Sequence, residues 1–391
     1  MNFADQPDYL RSYSDLRRLS EAICAPLYIE DHVPQPAAFV SPPKWHLAHT
    51  TWFFEEFILK PYKVDYKVFH EDFSFMFNSY YNTIGKRVFR ADRGNMTRPS
   101  LEHVHAYRQY VDQHMQGLLK QGLSNQLLSL LKIGINHEQQ HQELLITDLK
   151  YILGHNPLFP IYKEQGALVN DTNTSQGIIE IDEGVYEIGA EANSGFTFDN
   201  EHNRHKVYVN AFEIENKLVT NGEYIDFIKS GAYSTHNLWL DDAWAWINEN
   251  KINAPMYWHK IDGQWFHFTL SGLQPINRNE ILSHVSHYEA AGFAAFAEKR
   301  LPTEAEWEIA SPKLDWGKRW EHSGSAYLAY PSYKKPDGAV GEYNGKFMMN
   351  QMVLRGASVA TSPMHSRNTY RNFFQPNLQW QFSGIRLVKN G

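Results

Sequence analysis

The chain has 391 residues, 42% hydrophobic and 14% aromatic, with 44 acidic against 37 basic side chains and a formal charge of -7; this length and apolar share imply a folded globular protein of two domains. The acidic balance excludes a basic stripe able to displace counterions from a nucleic acid, and the single cysteine, Cys24, excludes an intrachain disulfide and an all-thiolate metal site. The start, Met1 to Asp8, lacks the basic head and apolar run of a signal peptide, and no stretch approaches the roughly 20 apolar residues of a membrane span, so the expected setting is cytoplasmic.

Residues 9 to 30 place charged and apolar positions at helical spacing. Ser41-Pro42-Pro43 offers a cap and prolines at a helix start, and the helix that follows carries His46 and His49 toward Phe57. From Phe77 to Gly94 no period is sustained. A loop of this length in a compact domain is either functional or disordered, and its aromatics and arginines argue against disorder, the plain alternative being surface arginines that solvate a connector. Residues 101 to 120 and 125 to 153 read as two more amphipathic helices.

The last of these contains His137-Glu138-Gln139-Gln140-His141. Residues four apart share a helix face, so His137 and His141 can present nitrogens to a common point. Zinc proteases also flank a glutamate with two histidines, but nothing nearby supplies their glutamate ligand. A lone pair at this spacing is as readily a surface coincidence; the second cluster, Trp45-His46-Leu47-Ala48-His49, makes a shared metal site the stronger reading. Bundles place such sites between facing helices.

After Gly154-His155-Asn156-Pro157 the pattern changes. Residues 161 to 176 read as a polar linker, and beyond them come short β-like runs, such as 184 to 189 and 206 to 209, with helices expected over 221 to 228 and 289 to 296. The fold class is thus α plus α+β: a helical bundle over residues 1 to 160, the linker, and an irregular tryptophan-rich domain over 177 to 391.

Arg300-Leu301-Pro302-Thr303-Glu304-Ala305-Glu306-Trp307-Glu308 resembles the signature of the formylglycine-generating-enzyme-like fold, a variant of the C-type lectin architecture. Leu354-Arg355-Gly356-Ala357-Ser358 and Phe382-Ser383-Gly384-Ile385-Arg386 match its remaining signatures in order. The copper-binding cysteines of true formylglycine generators have no counterpart, since Cys24 lies in the other domain. A DinB-like four-helix bundle bearing a His-Glu-Gln-Gln-His helix upstream of such a domain resembles the sulfoxide synthases of ergothioneine biosynthesis, over nearly the whole chain. Supporting stretches are Trp45 to His49, Leu218 to Tyr224, Gly341 to Phe347 and Thr369 to Phe374.

That resemblance implies a non-haem Fe(II) held by His49, His137 and His141, with His46 as the competing ligand for the first position. Three neutral imidazoles leave the ion its full positive charge, which favours an anionic ligand such as a thiolate. It implies hercynine, a thiol and O2 as substrates, with formation of a C–S bond at the imidazole C2 and oxidation of the sulfur. Arg90 and Arg93 are implied to grip the carboxylate of the thiol substrate, as guanidinium forks do. Tyr80 and Tyr81 are implied in the active site as proton donor, with the choice between them open. Gln140 and Asn372 are candidates to orient hercynine, and Phe373 and Phe374 belong to an aromatic wall suited to its quaternary ammonium. Where the γ-glutamylcysteine-using branch has an aspartate, this chain has Phe374, so free cysteine is the expected donor. Departures from the family pattern at Ala357, Val359 and His322 bear on substrate identity more than on the metal. The rival readings are a sister enzyme taking histidine or a selenium donor, a zinc-dependent DinB-like thiol transferase or hydrolase, and a lectin-like binding module.

Overall fold

The computed structural model describes residues 8–79, 81, 84–164, 171–191, 194–336, 341 and 343–389. They form two compact units: one runs to Tyr162 and takes in Thr361–His365, and the other comprises the remaining chain from Lys163 onward.

Four long helices build the first unit: α1 (Tyr9–Cys24), α2 (Pro43–Phe54), α3 (Leu101–Leu119) and α4 (Asn125–Gly154). Local chemistry sets their starts. Pro43 occupies the first turn of α2, where a missing N–H costs nothing, and the hydroxyls of Ser100 and Ser124 accept from the backbone N–H groups of His103 and Leu127 at the heads of α3 and α4. Helix α2 is buried along its entire length, so it shows no polar stripe, as expected of a helix enclosed on all sides. It packs on both α3 and α4. After Phe54 the helix widens into a π turn over Glu55–Leu59, where the Glu55 carboxylate accepts from the Tyr66 and Tyr107 hydroxyls, each at 2.6 Å.

The four helices share a buried charge network. The Glu138 carboxylate of α4 accepts from Arg17 of α1 at 2.8 Å, from Arg108 of α3 at 3.3 Å and from Ser20 at 2.6 Å. Arg17 also donates to Thr51 of α2 at 2.7 Å, and Arg108 to the Leu47 carbonyl of α2 at 2.9 Å. The glutamate of the His-Glu-Gln-Gln-His run is therefore a structural anchor. Burial pushes its carboxyl up, but Arg17 and then Arg108 more than offset this and hold it below the ordinary glutamate value.

The second unit is α+β. Strands β1 (Ile178–Ile181), β4 (Phe212–Glu215), β8 (Lys299–Arg300) and β13 (Val388–Lys389) form one sheet, ordered β1-β4-β13-β8. A second runs β11 (Asn372–Phe374), β10 (Met352–Gly356), β9 (Trp320–Ala326), β12 (Ser383–Gly384). Smaller sheets pair β2 (Gly184–Ile188) with β3 (His205–Val209), and β5 (Trp258–Ile261), β6 (Gln264–Thr269) and β7 (Gly272–Pro275) in sequence. Helices α5 (Asn221–Lys229), α6 (Asp241–Glu249), α7 (His287–Phe296) and α8 (Glu304–Ala310) complete it. At the far end of the expected linker, Asp171 and Asn173 hydrogen-bond within this unit, to the backbone of Ile281 and Leu218.

The three ordered signatures of this unit converge on one hub. Thr303 and Glu306 cap α8 reciprocally. Four residues on, the Trp307 indole donates to Glu321 of β9 at 2.6 Å, and Arg386 grips the same carboxylate in a two-pronged pair at 2.6 and 2.7 Å. Arg355 of β10 pairs with Glu308. Gly356 follows at a φ of +91°, a conformation that a side chain would strain. Among the described residues no helix is long and apolar enough to cross a membrane.

Glu138→Ala leaves two guanidiniums buried without their shared carboxylate, and the expected loss of unfolding free energy is about 3–5 kcal/mol, read by urea denaturation. The contribution of Glu138 is complete above the ordinary glutamate pKa and fades as pH falls through the lower folded value. The gap between wild type and variant should therefore be widest near neutrality and close in acid; a gap unchanged on acidification would contradict the network.

Candidate metal centre

Among the described residues one cluster could hold a metal ion: His49, His137 and His141, whose candidate ligand atoms all lie within 4.8 Å of one another. His49 comes from α2, while His137 and His141 stand one turn apart on α4, and Nε2 of His137 lies 3.2 Å from Nε2 of His49. Such an approach of two imidazole nitrogens suits donors aimed at one point.

The remaining nitrogens carry the orientation. Nδ1 of His49 faces the Phe77 carbonyl at 2.6 Å, which assigns it the proton and leaves Nε2 for the cluster. Its ring is held between two α2 indoles, stacked on Trp45 at 4.4 Å and on Trp52 at 5.4 Å. Phe53 lies 4.8 Å from the His137 ring. Nδ1 of His141 sits 2.9 Å from Nδ1 of His46, whose Nε2 lies 3.0 Å from Asp148. His46 thus stands behind His141 and outside the three-membered cluster.

Burial disfavours the charged imidazoles. It lowers His137 to about 3 and, aided by neighbouring His137, carries His49 well below its ordinary value. His141 moves the same way through desolvation and then the two other histidines. All three are neutral near pH 7, the form in which imidazole binds a metal. Neutral nitrogens converging on one point, with outward nitrogens of His49 and His141 already engaged, fit a bound transition metal; imidazole serves iron, zinc, copper and nickel alike.

Described residues after Phe77 meet the two indoles that flank His49: Tyr81 lies beside Trp52 and Arg93 over Trp45. Asn78 organises the start of this stretch, accepting from the Tyr81 N–H at 3.1 Å and donating to the carbonyls of Tyr81 and Lys86. Tyr81 is buried and its ring lies 5.5 Å from Trp52, on which His49 stacks. Tyr80 lies outside the described residues. Arg90 and Arg93 sit on one 3-10 turn, Arg90–Asn95, in which positions three apart eclipse. Arg93 is buried, donates to Ser41 and Ser79 at 2.8 Å each and lies 3.4 Å over the Trp45 ring. Arg90 is half-buried and donates to the Phe39 carbonyl. Gln140 lies half-buried on α4 between the two histidines.

Asn372, Phe373 and Phe374 belong to the second unit, on β11. The Asn372 side chain accepts from the Phe373 N–H at 3.0 Å, Phe373 stacks on Tyr327 at 4.0 Å, and Phe374 meets Trp380 edge-on at 5.0 Å. At the departure from the family pattern, His322 is buried with Nε2 3.0 Å from the Val285 carbonyl. Sequence reasoning had no role for Asp148, Trp52 or Gly134. Spacing held the signal: Asp148 is seven residues from His141, Trp52 seven from Trp45, and a helix brings such positions onto one face.

Gly134, one turn before His137, sets the distance between α2 and α4. A Cβ there would meet Phe54 at 2.6 Å and Phe53 at 3.0 Å, both inflexible buried rings.

A model of the sulfatase-modifying factor enzyme 1-like domain matches residues 164–335. Hercynine oxygenase from Mycobacterium tuberculosis is 29% identical over 300 residues, 65% of this chain and 70% of that protein. Ergothioneine biosynthesis protein 1 from Schizosaccharomyces pombe is 24% identical over 50% of this chain and 28% of its own length, and the formylglycine-generating enzyme of Streptomyces coelicolor is 27% identical over 38% and 50%. The solved structure of PvdO from Pseudomonas aeruginosa aligns with 57% of this chain at 13% identity and a TM-score of 0.33.

Gly134→Ala adds helix propensity of at most about 1 kcal/mol, against the roughly 1–3 kcal/mol that overpacking a tight core costs. The expected outcome is a lower melting temperature together with weaker metal retention, measured by metal analysis after gel filtration. An alanine variant that melts higher and keeps its metal would show that α2 and α4 are not held at contact distance here.

Proposed function

We propose that the chain is a sulfoxide synthase of ergothioneine biosynthesis, which joins the sulfur of cysteine to C2 of the hercynine imidazole using dioxygen at an Fe(II) held by His49, His137 and His141. The observation that carries this reading is the neutral three-imidazole cluster shared by α2 and α4 in a relative of hercynine oxygenase. The reaction balances: the thiol and the C2 position each give up one hydrogen, one oxygen atom of O2 becomes the sulfoxide and the other leaves as water. When bound, Fe(II) supplies a place for the thiolate sulfur beside dioxygen and the electrons that start its reduction.

The remaining work falls to this chain's residues. The Arg90–Asn95 turn supplies two guanidiniums, Arg90 and Arg93, as the grip for the cysteine carboxylate; both carry positive charge toward His46 beside the cluster. Arg93 is already fixed by two hydroxyls and an indole face, which limits the entropy lost on binding. Tyr81 is proposed to deliver a proton from its hydroxyl, and Tyr80 shares that candidacy. Gln140 is proposed to orient the hercynine imidazole. Asn372, Phe373 and Phe374 are proposed as hercynine contacts on the family resemblance alone, as is the DinB-like nature of the bundle over residues 1–160, with the linker to 176 and the lectin-like domain beyond.

Mass spectrometry of protein loaded with Fe(II) without air, then given hercynine, cysteine and oxygen, should show the cysteinyl sulfoxide adduct with stoichiometric O2 uptake. His137→Ala should lose both metal and product. Tyr81→Phe should keep the metal while shifting turnover toward oxidised cysteine. Turnover with zinc and no oxygen uptake would instead support a thiol transferase, and a product formed from histidine but not hercynine would move the chain to the sister activity.

A further inference from the structure

His46 is three residues before His49 on α2, buried, and its two nitrogens have different partners. Nε2 lies 3.0 Å from Oδ2 of Asp148, a fully buried carboxylate that also accepts the Ser41 N–H at 2.8 Å. Nδ1 lies 2.9 Å from Nδ1 of His141, and the two rings are tilted at 60°. A carboxylate only accepts, so Nε2 of His46 carries that imidazole's proton. A neutral imidazole has one N–H, so Nδ1 of His46 is an acceptor. The hydrogen between the two histidines therefore belongs to Nδ1 of His141, which leaves Nε2 as the nitrogen of His141 whose lone pair can serve a metal.

We propose that His46 is a positioning residue rather than a metal ligand: Asp148, His46 and His141 form a directed relay in which the carboxylate sets the tautomer of the first imidazole and the first imidazole sets the tautomer and heading of the second. Metal-bound histidines commonly donate their outer N–H directly to a carboxylate or carbonyl, as His49 does to Phe77. Here an extra imidazole is inserted, which carries the anchoring charge from one helix turn to another: Asp148 lies two turns along α4 from His141, and His46 on α2 spans the gap. The relay therefore also links the two helices that must supply the ligands. It rests on the reading of the three histidines as a metal site.

The test separates the two claims. Fe(II) is titrated without air into the purified full-length chain in competition with a chromophoric chelator. One ion per chain in the wild type and none in His137→Ala supports the site; equal binding by both ends the metal-site reading itself. Given that site, His46→Phe, which keeps a ring but neither nitrogen, should retain one Fe(II) per chain with affinity reduced about 10–100-fold, the usual effect of losing an outer partner. His46→Gln, whose amide oxygen can accept from His141, should recover part of that loss. Unchanged affinity in the phenylalanine variant would overturn the relay, and complete loss of binding in both would make His46 a ligand. A measurement on the unmutated chain decides the matter even where a variant fails to fold: with zinc bound, the imidazole 15N–1H correlations should place the His141 proton on Nδ1, and a proton on Nε2 would refute the assignment.

Discussion

The ion pairing of Glu138, fully buried between the guanidiniums of Arg17 and Arg108, is the interaction on which the three-histidine cluster depends. Successive residues on an α-helix point about 100° apart, so the face of α4 that carries Glu138 into the charge network turns His137 toward α2. The same two arginines reach Thr51 and the Leu47 carbonyl of α2, which fixes the helix bearing His49 from behind. Gly134 then removes the side chain that would hold α2 off α4. A cluster of three neutral imidazoles gains little from being assembled without its metal, and desolvation opposes any charge on it. The rigidity that keeps its members together is supplied from the opposite side of the same helices.

The second unit follows a different logic. Its recognisable motifs are mostly cement: Trp307, Glu308, Glu321, Arg355 and Arg386 are buried and pair with one another. An irregular α+β fold with short strands has few long ladders to hold it, and a closed set of charge-assisted bonds specifies one arrangement. Such pairs are self-contained, because each charge is met by a partner within the set. Their presence without the copper-binding cysteines of formylglycine generators is consistent with that structural role.

Much of this was legible in the sequence for physical reasons. The amphipathic α1 and α3 have one wet face and so a readable period, while α4 mixes buried with half-buried positions beyond Ser129. The capping pair Thr303 and Glu306 announces α8 through the three-residue spacing that reciprocal capping requires. The histidine spacing on α4 follows from helix geometry alone. Helix α2 was harder, since total burial erases the period, and only the prolines at its start mark it. The role of Glu138 was hidden, because its arginine partners stand 121 and 30 positions away in the chain. Asp148 and His46 were obscured likewise: a contact between helices leaves no local pattern. Tyr80 falls outside the described residues, and the loop around it holds few periodic positions from which a fold could be read.

The proposed chemistry requires one Fe(II) gripped by imidazoles from two helices. Iron K-edge X-ray absorption on the anaerobically loaded chain addresses it most directly, through the multiple scattering that imidazole rings produce. The expected result is one iron per chain with a three-histidine nitrogen and oxygen shell, and a two-histidine signal or no bound iron when His49 is replaced by alanine. An unchanged histidine count in that variant, or a wild-type shell of carboxylate oxygens without imidazole, would contradict it.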